Sequence, residues 1–197
     1  FIATIGFSQT TYVPDDNFEQ ALIDLGYDDT LDDYVLTANI SGVTGLDVAD
    51  KEISDLTGIE AFTVLDWLSC YDNQLASLDV SNNTALTSLD CNTNPLTSLD
   101  VSSNTALTYL DCGGNQLTSL DVSNNTALTW IGCHINQLTS LDVSNNTALT
   151  NLWCYDNQLT SLDVTSNTAL TYLHCSGNSL TSLDVSNNTA LNDLRCY

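Results

Sequence analysis

"LTYLDCGGNQLTSLDVSNNTA", residues 107–127, returns with small changes every 21 residues. Six full units run from Leu65 to Ala190, and a seventh begins at Leu191 and stops at Tyr197. Cysteines fall at 70, 91, 112, 133, 154, 175 and 196, one per unit. A repeat this strict predicts a solenoid, in which each coil buries its apolar face against the next.

The phrase L-x-x-L-x-L-x-x-N, the leucine-rich-repeat core, occurs twice in each unit. In this one it reads Leu107, Leu110, Cys112, Asn115, then Leu117, Leu120, Val122, Asn125. Alternation within each half turns Leu, Leu and Cys or Val inward and predicts a short strand. Each Asn closes its half, because its amide can satisfy backbone groups that a buried turn would leave orphaned. The expected fold is therefore a mainly β leucine-rich-repeat solenoid, with two short parallel strands per coil, two parallel sheets and two Asn ladders. Equal spacing of about 4.8 Å on both sides predicts weak curvature.

Upstream the pattern changes. Residues 43–64 form one 22-residue coil with Val43, Leu46, Val48, Ile53, Leu56 and Ile59 inward. Residues 10–42 are expected to form an N-terminal cap. In it "VPDDNFEQALIDLGY" predicts a helix over about 14–25, with Pro14 in its first turn and Asp15 and Asp16 at the positive end. Phe18, Ala21, Leu22 and Leu25 share one face, and Gly26 can terminate it. Residues 1–9, "FIATIGFSQ", read as the remnant of a secretory signal, with a short first strand or an artificial chain boundary as the alternatives. At the other end "LNDLRCY" stops within a repeat, so further coils or another chain are the expected covers for the last coil.

"ISDLTGIE" (53–60) resembles the 22-residue repeats of the internalins, and the 21-residue unit is similar to their cysteine-ladder, J-type repeats. The segment "YVPDDNFEQALIDLGYDD" (12–29) resembles the N-terminal cap of secreted bacterial proteins with such repeats. The resemblance covers residues 12–197. It implies a secreted or surface-attached bacterial protein used in adhesion or recognition, and no particular ligand.

Composition sets limits of its own. Twenty-five acidic residues face only Lys51 and Arg195, for a formal net charge of −23. Such a surface repels nucleic acid and anionic membranes. It suits a salty or calcium-containing medium. No stretch is long and apolar enough to span a membrane, so no membrane insertion is expected.

Three columns invite chemistry. The cysteines take the inward position that Val122 holds in the partner half. Their expected Cβ spacing of about 5 Å exceeds what a disulfide prefers, and their odd number forbids complete pairing. Zinc would need four converging ligands, which a straight column does not offer. Space filling is the expected role, with partial disulfides, metal or redox chemistry as the other readings. The second column is Asp79, Asp100, Asp121, Asp142, Asp163 and Asp184, beside the serines two positions earlier. Stacked carboxylates repel. Ser and Thr hydroxyls must hold them, or cations bind, or some stay protonated, and weakly bound calcium is the one cofactor the column could take.

The third feature is variation. The outward positions of the first half differ from coil to coil, and they gather Trp67, Tyr71, Tyr109, Trp130, His134, Trp153, Tyr155, Tyr172 and His174. All three tryptophans and both histidines lie there. Exposed aromatics mark interaction sites, so this face is the expected contact for a protein or glycan on a cell surface. Aromatic rows that merely stiffen the sheet are the alternative. No nucleophile–base pair, Gly-rich phosphate loop or HExxH stands in the chain, so no enzyme is expected. The competing function is structural: end-to-end self-association through the last coil into a fibre or surface layer.

Overall fold

The computed structural model describes residues 9–197, so all of the expected signal remnant but Gln9 lies outside the described residues. The array is a solenoid of about seven turns built on one parallel sheet of eight three-residue strands. These are β3 (Gly45–Asp47), β4 (Trp67–Ser69), β5 (Ser88–Asp90), β6 (Tyr109–Asp111), β7 (Trp130–Gly132), β8 (Asn151–Trp153), β9 (Tyr172–His174) and β10 (Asp193–Arg195). Each pairs with the next in sequence, and register never slips: Leu46, Leu68, Leu89, Leu110, Ile131, Leu152, Leu173 and Leu194 form one row. That row points inward and its two flanking rows point outward, as the two-residue period of a strand requires.

The second half of each coil differs from the two-strand expectation. Leu117, Leu120 and Val122 are buried, so the inward pattern holds, yet this half contributes no strand, and among the described residues the array has no second sheet. The chain takes two successive turns, Asn125 N–H to Val122 C=O and Leu128 N–H to Asn125 C=O. The Asp121 carboxylate accepts the Ser123 amide at 2.9 Å, as Asp111 accepts the Gly113 amide in the first half, so the two halves differ in the paired turns that follow Val122.

Two Asn ladders replace what the missing sheet would have supplied. In the first, the Asn115 Nδ2 group donates to the carbonyls of Cys112 and Gly113 in its own coil and of Cys91 in the coil before, while Oδ1 accepts from the Leu96 amide. Asn94, Asn136 and Asn157 repeat the arrangement. In the second, Asn125 Nδ2 donates only to Val101 and Asn104 of the preceding coil, and its buried Oδ1 has no partner.

The cap begins with β1 (Thr10–Tyr12), antiparallel to β2 (Tyr34–Leu36). Between them runs α1 (Asp16–Asp24), and α2 (Thr37–Ile40) leads into the first coil. Asp15 is the N-cap, so Pro14 stands before the helix and not inside its first turn. One Asp15 oxygen accepts from the Asn17 and Phe18 amides, and the other from the Ser54 hydroxyl and the Ser54 and Asp55 amides. One carboxylate thus starts the helix and ties it to the 22-residue coil. Burial pulls its pKa up, but the Ser54 hydroxyl and the Ser54, Phe18 and Asp55 amides outweigh that and leave it below the usual carboxylate value. Phe18, Ala21 and Leu22 of α1 join a single core cluster that runs on to Cys175.

The two ladders should differ in weight. Asn115→Ala strips donors or acceptors from four buried backbone groups, and a loss of about 3 kcal/mol is expected. Asn125→Ala strips two and also removes an orphaned oxygen, so a smaller loss, about 1–2 kcal/mol, is expected. Urea unfolding of the two variants side by side measures the difference.

Candidate functional site

The sheet's outward side is built by register alone. Residues 67, 88, 109, 130, 151, 172 and 193 form one row, and 69, 90, 111, 132, 153, 174 and 195 form the other. Rings on adjacent coils therefore meet. Tyr109 stacks on Trp130 with centroids 4.5 Å apart and planes 14° from parallel. Trp130 meets Trp153 at 5.4 Å, and Trp153 meets Tyr172 at 5.8 Å. Just beyond the strands His134 stacks on Tyr155 at 4.7 Å, and Tyr155 stacks at 4.2 Å on His174, the last residue of β9. The edge of His134 against Trp153 joins the two runs, and Arg195 closes the far end over Tyr172.

Glycines make this possible. A Cβ at Gly132 would overlap the Trp130 ring, and one at Gly113 would overlap His134. These two rings lie over bare backbone, and all seven shield one another, so they are half-buried, not fully exposed as expected. Seven of the nine aromatic positions singled out by sequence join this cluster. Trp67 and Tyr71 do not, because the next coil carries Ser88, Asp90 and Asn92 in the facing rows. Trp67 instead covers Gly45, and Tyr71 borders a cavity beside Ala21, Leu25 and Lys51.

Acidic groups sit under the near end of the cluster. Asp111 is 8% exposed, and its carboxylate accepts the Gly113 amide. Burial, with Asp90 adding its charge, pushes the Asp111 pKa up to about 6. Burial and Asp47 likewise raise Asp90. Burial lowers both histidines, assisted at His134 by His174 and at His174 by Arg195, so the rings are neutral at pH 7.

Sequence reasoning missed Ile135. It has φ 51° and is 50% exposed. A β-branched residue in the left-handed region is strained, and solvent gives this one no packing in return. Its column, Asp72, Thr93, Gly114, Ile135, Asp156 and Gly177, adopts that conformation throughout. The signal was therefore present in sequence as the one large apolar residue in a column of Asp, Thr and Gly.

The uniform columns resolve differently. Cys70, Cys91, Cys112, Cys133, Cys154 and Cys175 are buried free thiols, while Cys196 is exposed. Burial raises their pKa values, to about 11 at Cys175 and further in the others. The Asp ladder is held within each turn. Asp79, Asp100, Asp121, Asp142 and Asp184 accept the serine amide two residues on at 2.9 Å, and Asp163 accepts the Thr165 amide and hydroxyl. These hydroxyls and amides keep all six carboxyls below their usual pKa, hence ionised. Among the described residues no group of three or more His, Cys, Asp or Glu side chains is arranged to hold a metal ion.

Six thiols buried in a single column, one per 21-residue coil, decide the type of repeat. The chain is an internalin-like leucine-rich-repeat solenoid with a cysteine ladder. Internalin J of Listeria monocytogenes serotype 4b is 46% identical to it over 73 residues, 37% of this chain and 8% of that protein. The solved functional domain of internalin J from Listeria monocytogenes, which includes a cysteine ladder, is 36% identical with a TM-score of 0.60 over 95% of this chain. This chain spans about half (52%) of that solved chain. A leucine-rich-repeat protein of Leptospira interrogans matches 80% of the chain at 25% identity, TM-score 0.74, covering 44% of its own length. Internalin C2 of Listeria monocytogenes shares the fold alone, at 19% identity and TM-score 0.73 over 95% of this chain and 98% of its own. No family model matches the chain. No helix among the described residues is long and apolar enough to cross a membrane.

Two outcomes follow for the ladder and the face. A maleimide should label one thiol, Cys196, in the native protein and seven in denaturant, counted by mass spectrometry. Ionising Asp111 opposes folding, because its folded pKa of about 6 lies above the unfolded value. Its stabilising share is complete below about pH 4 and is lost as pH rises through about 6. Asp111→Asn, which still accepts the Gly113 amide, should stabilise the protein at pH 7.5 by up to about 3 kcal/mol and flatten its stability between pH 4 and 6.

Proposed function

We propose that this chain is an extracellular bacterial recognition module, not an enzyme. It binds a protein or glycan on a cell surface through the aromatic cluster of Tyr109, Trp130, Trp153, Tyr172, His134, Tyr155 and His174. One observation carries the reading. Repeats within a single chain keep the Asp and Ser columns uniform and diversify the strand face, and register assembles the diverse residues into one contiguous ring surface. Flat half-exposed rings suit partners that stack or pack on them. The strained, solvent-facing Ile135 supports the same reading, since strain without local reward points to use elsewhere. The internalin-like fold supports a secreted or surface setting and a protein partner.

Trp153 touches Trp130, His134 and Tyr172, so Trp153→Ala should open the centre of the cluster. On arrays of purified extracellular proteins and of glycans, Trp130→Ala and Trp153→Ala should lower binding at least tenfold with far-UV dichroism unchanged. Ile135→Gly should weaken binding while raising stability by about 1 kcal/mol. Wild-type hits that survive all three changes would remove this face as the site. A strict monomer in light scattering would count against the fibre reading.

A further inference from the structure

The two ends of the aromatic row are finished differently. Beyond Tyr172 the next coil brings a carboxylate and a guanidinium. Arg195 lies 5.4 Å from the Tyr172 ring centroid, and its Nε and Nη2 donate to the two Asp193 oxygens at 3.3 and 3.2 Å. Beyond Tyr109 the adjoining coil places Ser88 and Asp90 in the same two rows. A carboxylate is present there without a cation. Ser88 is too short to cover a ring, and among the described residues Tyr109 stacks on no ring but Trp130. Trp67, across the gap, leans away over Gly45. Positions 67 and 109 are two strand spacings apart, about 10 Å, so a slot stands open above Ser88 with the outer face of Tyr109 as its wall.

The acids belong to this slot by register and contact. Asp90 and Asp111 are paired across β5 and β6. Asp111 and the Trp130 ring sit over the same bare backbone, at Gly132. Each carboxylate uses Oδ1 within its own turn, Asp90 accepting from the Asn92 amide and side chain and Asp111 from the Gly113 amide. Neither is in an ion pair, because the one ion pair among the described residues joins Arg195 to Asp193. Burial holds both above the usual carboxylate pKa, a cost that an arriving cation offsets. The chain has no cation to send, since Lys51 lies beside Ala21 and Tyr71 at the cap.

We propose that the slot above Ser88 takes an arginine side chain of a basic protein partner, its guanidinium stacked on Tyr109 and forked to Asp90, as Arg195 is stacked on Tyr172 and forked to Asp193. A planar guanidinium can do both at once, whereas an ammonium can only do the second. A net charge of −23 steers a basic surface toward the face. The slot is one end of the aromatic face, so this inference rests on the recognition reading and narrows its partner to a protein with an exposed arginine.

The peptide acetyl-Gly-Arg-Gly-amide, with its lysine and citrulline counterparts, tests the slot by NMR titration of the labelled chain at about 0.15 M salt. The arginine peptide should shift the Tyr109 ring and Asp90 signals, the lysine peptide should bind roughly threefold more weakly, and neutral citrulline should leave both signals in place. Asp90→Asn should weaken arginine binding about fivefold, and Ser88→Trp, which fills the slot, should abolish the shifts. Lysine and arginine shifts of equal size that survive Ser88→Trp, the mark of general attraction to an acidic surface, would overturn the slot. On the protein arrays, Ser88→Trp and Asp90→Asn should lower binding as Trp153→Ala does. Loss with Trp153→Ala alone would remove the slot and keep the face, and binding that survives all three would remove both. Hits confined to glycans would overturn the arginine partner.

Discussion

The solenoid depends on a buried side-chain amide that reaches two coils at once. Asn115 serves carbonyls on Cys112, Gly113 and Cys91 and receives the Leu96 amide. Hydrophobic stacking alone would let neighbouring coils rotate or slide, because apolar contact is not directional. The amide forbids that, since any shift leaves several buried backbone groups without partners. The constant register of the eight-stranded sheet follows from it.

That rigidity divides the molecule into parts that must repeat and parts that need not. Inward Leu, Val and Cys and both Asn ladders are committed to the stack. The Asp column is committed too, each carboxylate closing the turn that carries it. Only the outward strand positions and the corner after each Cys are released, and there the coils differ. The candidate face is thus the surface that remains once the fold has taken what it needs.

Much of this was legible in the sequence. The period, the inward residues, the cap helix and the aromatic face all follow from spacing, because strand alternation and helical periodicity convert position into direction. The backbone of the second half was less legible. Leu117, Leu120 and Val122 carry the same alternation as the first half, and the difference lies in the paired turns Val122–Asn125 and Asn125–Leu128, which spacing does not reveal. Ring against ring was also hidden. Trp67 and Tyr71 have the right residue type and position, but only the content of the neighbouring coil decides whether a ring finds a partner.

The glycines beneath the rings have a consequence for how such a surface changes. Trp130 needs Gly132 at its foot, and His134 needs Gly113 one coil away. A side chain at either glycine would lift the ring above it. Variation on this face is therefore coupled across coils. A new specificity is reached through paired replacements, or by exchanging a whole coil with its neighbour, more readily than by single substitutions.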